Sequence, residues 1–452
     1  MKSDTQYKPS NAKATADRQT EIGEIPEDWN LRQLKELADF SNGYAFSSRS
    51  YTEKSENAVP VFKMGNIDIG GGIKITGKED YADQSLARKL ASYITDKDDI
   101  LMCMTDMKSS MNLLGHSARI NNEKFLVNQR VGRIRPNSNV DSAYLYYYLN
   151  SRSYIERLRT TARSGVQVNL TTEAIKESWV KYPPIGEQQQ IASILSSLDD
   201  KIELNRRMNK TLEEIGKTLF KRWFVDFEFP NENGKPYKSS GGEMVESELG
   251  EIPKGWEASR VREIATLKSG FAFKGSSFKD SGKYGVIKIK NIIDPDVDVT
   301  DIQFVSEEEV KDRTRQFILN SGDILIAMSG NTTGKIGILV KGDYELVLNQ
   351  RVGKYFLKNS NYHWYLYFLL RSGDIQKSIV EKAYGSAQPN ISPDILESVS
   401  ILLPGNNILK SFEKLIVNLM EKYISNQKEV YVLSEIRDSL LPRLMSGRIR
   451  VN

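Results

Sequence analysis

The sequence predicts a mixed α/β protein built as two similar domains joined by two long helices. These pair as an antiparallel coiled coil, giving a pseudo-twofold molecule. Three observations predict it. The first is an internal repeat. EIGEIPEDW at 21–29 returns as ELGEIPKGW at 248–256, Gly43-Tyr44-Ala45-Phe46 as Gly270-Phe271-Ala272-Phe273, and Asn128-Gln129-Arg130-Val131-Gly132 as Asn349-Gln350-Arg351-Val352-Gly353. Gln167 and Asn169 answer Gln388 and Asn390. Solenoid repeats recur every ~20–50 residues, so a period this long marks a duplicated domain. The second observation is that strand patterns precede amphipathic helices in each half. The third is a heptad seam closing each half.

In chain order, residues 1–20 are a polar arm with no apolar core of a secretory signal. Residues 21–184 form the first module. Residues 185–227 form a long helix with Ile191, Leu195, Leu198 and Ile202 on one seam. The segment 228–247, containing NENGKPYKSSGGEM, reads as a flexible linker. The second module, 248–404, shows its strands in VIKIKNI (286–292), DILIAM (323–328), KIGILV (335–340) and ELVLNQRVGKYFL (345–357). The segments 142–162 and 361–383 carry aromatic and Leu stripes expected to face the core. The second long helix, 405–445, repeats the seam with Phe412, Ile416, Leu419, Tyr423, Val430 and Leu433, its end marked by Pro442; a tail, 446–452, follows. Leu212 and Ile215 map onto Leu433 and Ile436. Asn205 and Asn426 fall where the seam expects apolar residues, a placement that fixes helix register.

The chain has 452 residues, a net charge of +4 and one cysteine, Cys103. That excludes an internal disulfide and a Cys-rich zinc site. No apolar run approaches the roughly 18 residues of a membrane span, and the composition fits a cytoplasmic protein without membrane contact. A pseudo-twofold object suits a partner that is itself pseudo-twofold, and duplex DNA leads the candidates. A charge of +4 is modest for that role. Arg152, Arg157, Arg159 and Arg163 concentrate charge in one segment, although a solvated helix face would look the same. A helix from Gln188 to Arg222 would be roughly 50 Å long at ~1.5 Å per residue, or about 15 base pairs at ~3.4 Å each. Paired helices could therefore act as a ruler between two readers.

The chain resembles HsdS, the specificity subunit of type I restriction–modification enzymes. The carrying segments are ELGEIPKGW, the Gly-aromatic-Ala-Phe turn, GDIL (322–325), LNQRVG (348–353), FVDFEFP (224–230) and LLPRLMSG (440–447). Together they cover essentially everything after the arm. The resemblance implies two target-recognition domains reading the halves of a split site in double-stranded DNA. It also implies helices that set the gap and dock two methyltransferase subunits and the restriction/translocase subunits. The first copy departs from the pattern, with Asp98-Asp99-Ile100-Leu101 for GDIL and Met104-Thr105-Asp106 for Met328-Ser329-Gly330.

The repeat sorts candidate DNA contacts. Residues that differ between copies can read different bases, whereas matched residues serve the fold or the phosphates. Matched candidates are Lys63 and Asn66 with Lys288 and Asn291, and Gln167 and Asn169 with Gln388 and Asn390; bonding to their own loops is the competing reading. Gln129-Arg130 and Gln350-Arg351 are expected as internal pairs within a strand. Divergent candidates are Lys108, Ser109, Ser110, Asn112 and Arg163 in the first module, and Arg313, Arg315, Ser329, Asn331, Thr332 and Lys335 in the second. Arg, Asn, Gln and Ser suit base edges in the major groove.

No catalytic constellation is evident. Gly330-Asn331-Thr332-Thr333-Gly334-Lys335 is one residue short of a phosphate loop and reads as a strand–turn–strand, with its N–H groups still candidates for a phosphate. His116 and His363 are isolated, and no glycine-rich cofactor loop is present. The chain is expected to be a non-catalytic subunit without cofactor or metal. The competing functions are a two-domain protein scaffold and the recognition subunit of another phage-defence methyltransferase.

Overall fold

The computed structural model describes residues 17–74, 79–109, 111–163, 167–342, 344–383 and 390–451. The chain divides into two compact units, Met1–Asp200 with Ser434–Asn452, and Lys201–Leu433. The two long helices, Ile185–Phe220 and Asn406–Ser446, each contribute to both units.

In the first unit, a four-stranded antiparallel sheet runs in the order Ala38–Asn42, Val131–Pro136, Ile100–Cys103, Ser117–Arg119. A second sheet places Val59–Phe62 between Leu126–Val127, to which it is parallel, and Asp80–Ala82. Helices Ser142–Leu149 and Arg152–Thr160 bury the predicted aromatic stripe, with Tyr144, Tyr148 and Tyr154 almost inaccessible. Buried phenols need a partner, and the Tyr144 hydroxyl finds one by donating to the Lys181 carbonyl at 2.7 Å.

The second unit repeats this plan. Its first sheet is Ala265–Ser269, Val352–Leu357, Ile324–Ala327, Ile336–Ile338, and its second is Gln303–Val305, Tyr284–Ile287, Glu345–Leu348, Ile318–Leu319. Helix His363–Leu370 buries Tyr365 and Tyr367. An ion-paired acid at the end of the central strand is common to both units, buried in the first and partly buried in the second. Asp99 takes the Arg135 guanidinium at 2.7 and 2.8 Å, and Asp323 takes Lys354 at 2.6 Å. The departure from GDIL is a backbone matter. Asp98 occupies a left-handed position at φ 70, where the second copy has Gly322 at φ 91, a conformation that costs a non-glycine residue roughly 1–2 kcal/mol. Asp98 is held there by Ser142, which donates to it at 3.0 Å, and by Arg119 at 3.3 Å.

The doubled GEIP motif builds a docking base for the end of a long helix. Gly23–Pro26 and Gly250–Pro253 are the second strands of hairpins, and each is followed by a turn that buries a tryptophan. In the first unit Trp29 packs with Leu444 and Met445 from the second long helix, and its indole N–H donates to Glu187 at 2.9 Å. Arg450 then closes on Glu187 at 2.7 Å and on Asp28 at 2.6 Å. In the second unit Trp256 lies 5.9, 5.6 and 5.2 Å from the rings of Phe224, Phe227 and Phe229, which follow the first long helix. The linker is therefore not loose. Phe229 stacks on Tyr237 at 4.6 Å, and Pro230 bridges Pro236.

Within the second unit the long helices pair antiparallel. Asn205 donates to Glu429 at 2.9 Å, Asn426 to Asn209 at 3.0 Å and Asn209 to the Tyr423 carbonyl at 3.2 Å, while Phe220 meets Phe412. Partner numbers fall as the first helix advances, so the two run in opposite directions. Asn205 and Asn426 are fully buried, as their seam positions predict. Within the first unit Arg437 reaches Asp199 at 2.8 Å. The seam differs from the heptad extrapolation at Ile215 and Ile436, which are 40% and 42% exposed. Pro442 does not end the second helix, which continues to Ser446. Burial of Leu444 and Met445 under Trp29 offsets the hydrogen bond that proline removes.

One crossing shapes each module. Gly43 and Gly270 pass so close to a neighbouring strand end that a Cβ would lie 2.2 Å from the carbonyl oxygen of Asn128 and of Leu348 respectively. The next residues lock the crossing. Tyr44 N–H donates to Val127 at 2.7 Å and Phe271 N–H to Leu348 at 2.9 Å. Gly270→Ala should therefore destabilise the protein by about 1–3 kcal/mol or more through overpacking against backbone, seen as a lower urea midpoint; an unchanged midpoint would show that the crossing can relax.

Burial pushes the Glu413 carboxyl up to about 7, against the N–H of Trp364 that it accepts at 3.4 Å. A raised carboxyl favours the folded state when protonated. Its contribution is complete below the ordinary carboxylate value and is lost as pH rises through about 7. Glu413→Gln should exceed the parent in thermal midpoint at pH 8, and the gain should shrink toward pH 5.

Candidate nucleic-acid interface

Strand directions gather the repeated polar motifs on one rim of each module. In the first unit, strands Ala38–Asn42, Val59–Phe62, Ile100–Cys103 and Leu126–Val127 all end where Val131–Pro136 begins. The residues leaving these ends are Gly43, Lys63, Met104 and Asn128. Backbone bonds tie them together: Asn128 N–H donates to Phe62 at 3.0 Å, Met104 N–H to Arg130 at 3.0 Å and Leu170 N–H to Met104 at 2.9 Å. The second unit makes the same bonds from Asn349 to Ile287 (3.0 Å), Met328 to Arg351 (3.0 Å) and Ile391 to Met328 (2.9 Å).

From this rim the first module extends a two-stranded ribbon, Thr105–Met107 against Gln167–Asn169. It brings the divergent and matched candidates side by side. Gln167 and Asn169 are exposed, and the Thr105 hydroxyl donates to Asn169 Oδ1 at 2.8 Å. Arg163 is exposed and pairs with Asn169 through the backbone. Lys108, Ser109 and Asn112 are exposed in the loop beyond the ribbon, and Ser110 lies outside the described residues. Asp106 shapes that loop by accepting Met107 and Leu113 N–H groups at 2.7 and 2.8 Å. Arg159 closes it from below on the carbonyls of Leu114 and Asn112. The arginine segment is thus not one patch. Arg157 donates to the Tyr148 hydroxyl and Arg152 pairs with Glu156.

The second module reaches its rim with a shorter piece. Ser329 bridges Asn390, and its hydroxyl is buried without a partner among the described residues. A turn, Gly330–Thr332, follows, with Asn331 exposed and Thr332 half-buried. Where the first copy spends Asp106 on a long loop, the second has Gly330 at φ 76 and turns at once. Lys335 is exposed beyond it. The resemblance to a phosphate loop ends here, since the N–H groups of Thr333, Gly334 and Lys335 bond to Gly330, Ala327 and Thr332. Arg315, also exposed, precedes strand Ile318–Leu319, whose start pairs with Val347 near the same rim. Gln388 and the side chain of Arg313 lie outside the described residues.

The matched Lys-Asn turns brace their own loops. Asn66 accepts the Lys63 N–H at 2.8 Å; buried Asn291 accepts that of Lys288 at 2.9 Å and donates to the Asp298 and Asp301 carbonyls. Lys63 lies 4.2 Å from the Tyr51 ring centre and pairs with Asp80. Burial alone would depress Lys63, but Asp80 and Tyr51 more than offset it. Lys288 sits 3.4 Å from the Phe278 ring centre and donates to Gln303 at 2.6 Å; burial and Lys290 hold its ammonium below the usual range.

The expectation that Gln129-Arg130 and Gln350-Arg351 lie inside a strand is overturned. They form exposed turns, between Leu126–Val127 and Val131–Pro136 and between Glu345–Leu348 and Val352–Leu357. An Asn-initiated turn with its side chain bonded forward explains the break: Asn128 Oδ1 accepts the Arg130 N–H at 3.2 Å and its carbonyl accepts Val131 at 2.9 Å.

The thiol and imidazole near the first rim are both held by burial and hydrogen bonding. Burial raises the Cys103 thiol to about 11, and it donates to the Thr105 carbonyl at 3.2 Å. Burial and nearby Arg159 lower the His116 imidazole, whose Nδ1 accepts the Gly70 N–H at 3.2 Å. Among the described residues no cluster of three His, Cys, Asp or Glu could hold a metal, and no helix is long and apolar enough to cross a membrane.

Comparison with known proteins accounts for the duplication. The family model described as "Type I restriction modification DNA specificity domain" matches twice, over residues 26–214 and 253–431. The chain is 29% identical over 436 residues to the type I restriction enzyme MjaIX specificity subunit of Methanocaldococcus jannaschii, covering 96% of each protein. It is 25% identical to the HindI specificity subunit of Haemophilus influenzae, over 72% of this chain and 82% of that one. In fold it is similar to the crystal structure of the type I restriction–modification S subunit from M. genitalium, with a TM-score of 0.58 at 18% identity, covering 92% of this chain and 96% of that one. With both halves matched by one family model, the chain belongs to the type I restriction modification DNA specificity family.

Proposed function

We propose that this chain is the DNA-reading subunit of a type I restriction–modification complex, and that residues 21–184 and 248–404 are its two target-recognition domains. The observation that carries the reading is the double family match together with the paired rims. Each module offers DNA the same backbone frame carrying different side chains, as a split site with unlike halves requires. Base reading falls to the divergent rim residues: Lys108, Ser109 and Asn112 in the first module, and Asn331, Thr332, Lys335 and Arg315 in the second. Arg, Lys, Asn and Gln meet base edges by bidentate contact, each worth ~1–3 kcal/mol of discrimination. Asn205 and Asn426 fix the register of the helices, which set the gap between half-sites and dock methyltransferase and restriction subunits. Methyl transfer and cleavage belong to those subunits.

Replacing residues 248–404 with the recognition domain of another specificity subunit should change one half of the methylated site and leave the other half as it was. Methylation-site sequencing of cells expressing the hybrid with its methyltransferase reads this directly, and a change in both halves would defeat the two-reader assignment. Inserting four residues, about one turn, into both long helices should lengthen the tolerated gap while both half-sites persist. The same sequencing decides it: changed half-sites at a constant gap would show that the helices are not the ruler.

A further inference from the structure

The matched Gln-Arg turns are unexplained by sequence reading and by the fold. Backbone bonds hold them in place. Gln129 N–H donates to Tyr44 at 2.8 Å and Gln350 N–H to Phe271 at 3.0 Å. Arg130 and Arg351 N–H groups meet Asn128 and Asn349 side chains at 3.2 and 3.5 Å, and both arginine carbonyls accept the methionine N–H before the divergent loop. The turn is pinned on each side, yet its side chains point out. Both arginines are exposed, and among the described residues neither guanidinium holds an ion pair, a side-chain hydrogen bond or a ring.

The other matched rim cations are committed. Lys63 is held by Asp80 and Tyr51, and Lys288 by Gln303 and Phe278. Arg130 and Arg351 thus remain as the matched cations on the rim with an unengaged charge. An arginine on a rigid turn, identical in two modules whose neighbouring loops differ, suits a ligand feature that does not change with sequence. In duplex DNA that feature is the phosphate backbone, which guanidinium meets bidentately.

We propose that Arg130 and Arg351 are equivalent, sequence-independent phosphate anchors, one per module, which position each rim so that the divergent loops meet base edges. The proposal rests on the DNA-reading function above.

The test uses the complex of this chain with its methyltransferase subunits. The probes are a duplex carrying the site found by methylation sequencing and an unrelated duplex of equal length. Affinities are measured by fluorescence anisotropy from low to moderate salt. The parent complex must bind with a negative log–log salt slope; a slope near zero would overturn the DNA-reading function itself and with it this proposal. Given parent binding, Arg130→Ala or Arg351→Ala should each reduce the slope by about 0.9 and the double variant by about 1.8. Each single change should weaken both duplexes alike, by roughly five- to tenfold near 0.1 M salt. The methylated site should stay the same, and Arg→Lys should restore most of the slope. An unchanged slope with an unchanged thermal midpoint would overturn the anchor. Relaxed recognition of one half-site with intact binding to the unrelated duplex would overturn it in favour of base reading.

Discussion

A glycine pressed against a backbone carbonyl organises each module. At Gly43 and Gly270 the space left for a Cβ is 2.2 Å, so any side chain would drive two strand ends apart. Because they meet, four strands end together, and the loops leaving those ends become neighbours. The Lys-Asn turn, the Gln-Arg turn and the divergent loop are distant in sequence but share the same few backbone hydrogen bonds. Rigidity of that frame lets the variable loops change without disturbing one another.

The division of labour on the rim is electrostatic as well as geometric. Lys63 and Lys288 are spent on aromatic rings and internal partners, and so hold their loops. Asp99 and Asp323 hold the opposite ends of the same central strands by ion pairs. Among the described residues, what faces solvent at the rim is a mixture of amides, hydroxyls and cations. The buried cysteine and histidine are neutralised by burial.

Much of this was legible in the sequence, and the failures have physical causes. The repeat, the strand-rich modules, the aromatic core helices and the buried seam asparagines were readable because each follows from periodicity. The Gln-Arg turns are hidden because apolar alternation continues on both sides of them, so LVLNQRVGKYFL scans as one strand. Only Asn349, bonding forward to the Arg351 N–H, breaks it. Asn209 was missed since its counterpart on the second helix, Val430, is apolar, and the repeat therefore did not flag it. Pro442 reads as a helix stop because burial of Leu444 and Met445 cannot be seen from local sequence. The linker reads as loose for a similar reason: its Gly, Ser and Lys content hides Phe229, which stacks on Trp256.

The tryptophan of each GEIP motif has a different temporal fate. Trp256 is covered by Phe224, Phe227 and Phe229, which are synthesised before it. Trp29 is covered by Leu444, Met445 and the Arg450 clasp, made more than four hundred residues later. On the ribosome the residues that cover Trp256 precede it, while Trp29 waits until residues 444–450 have been made. At about 5–20 residues per second that wait lasts on the order of a minute. During it Trp29 lacks the part of its cover that Leu444, Met445 and Arg450 supply.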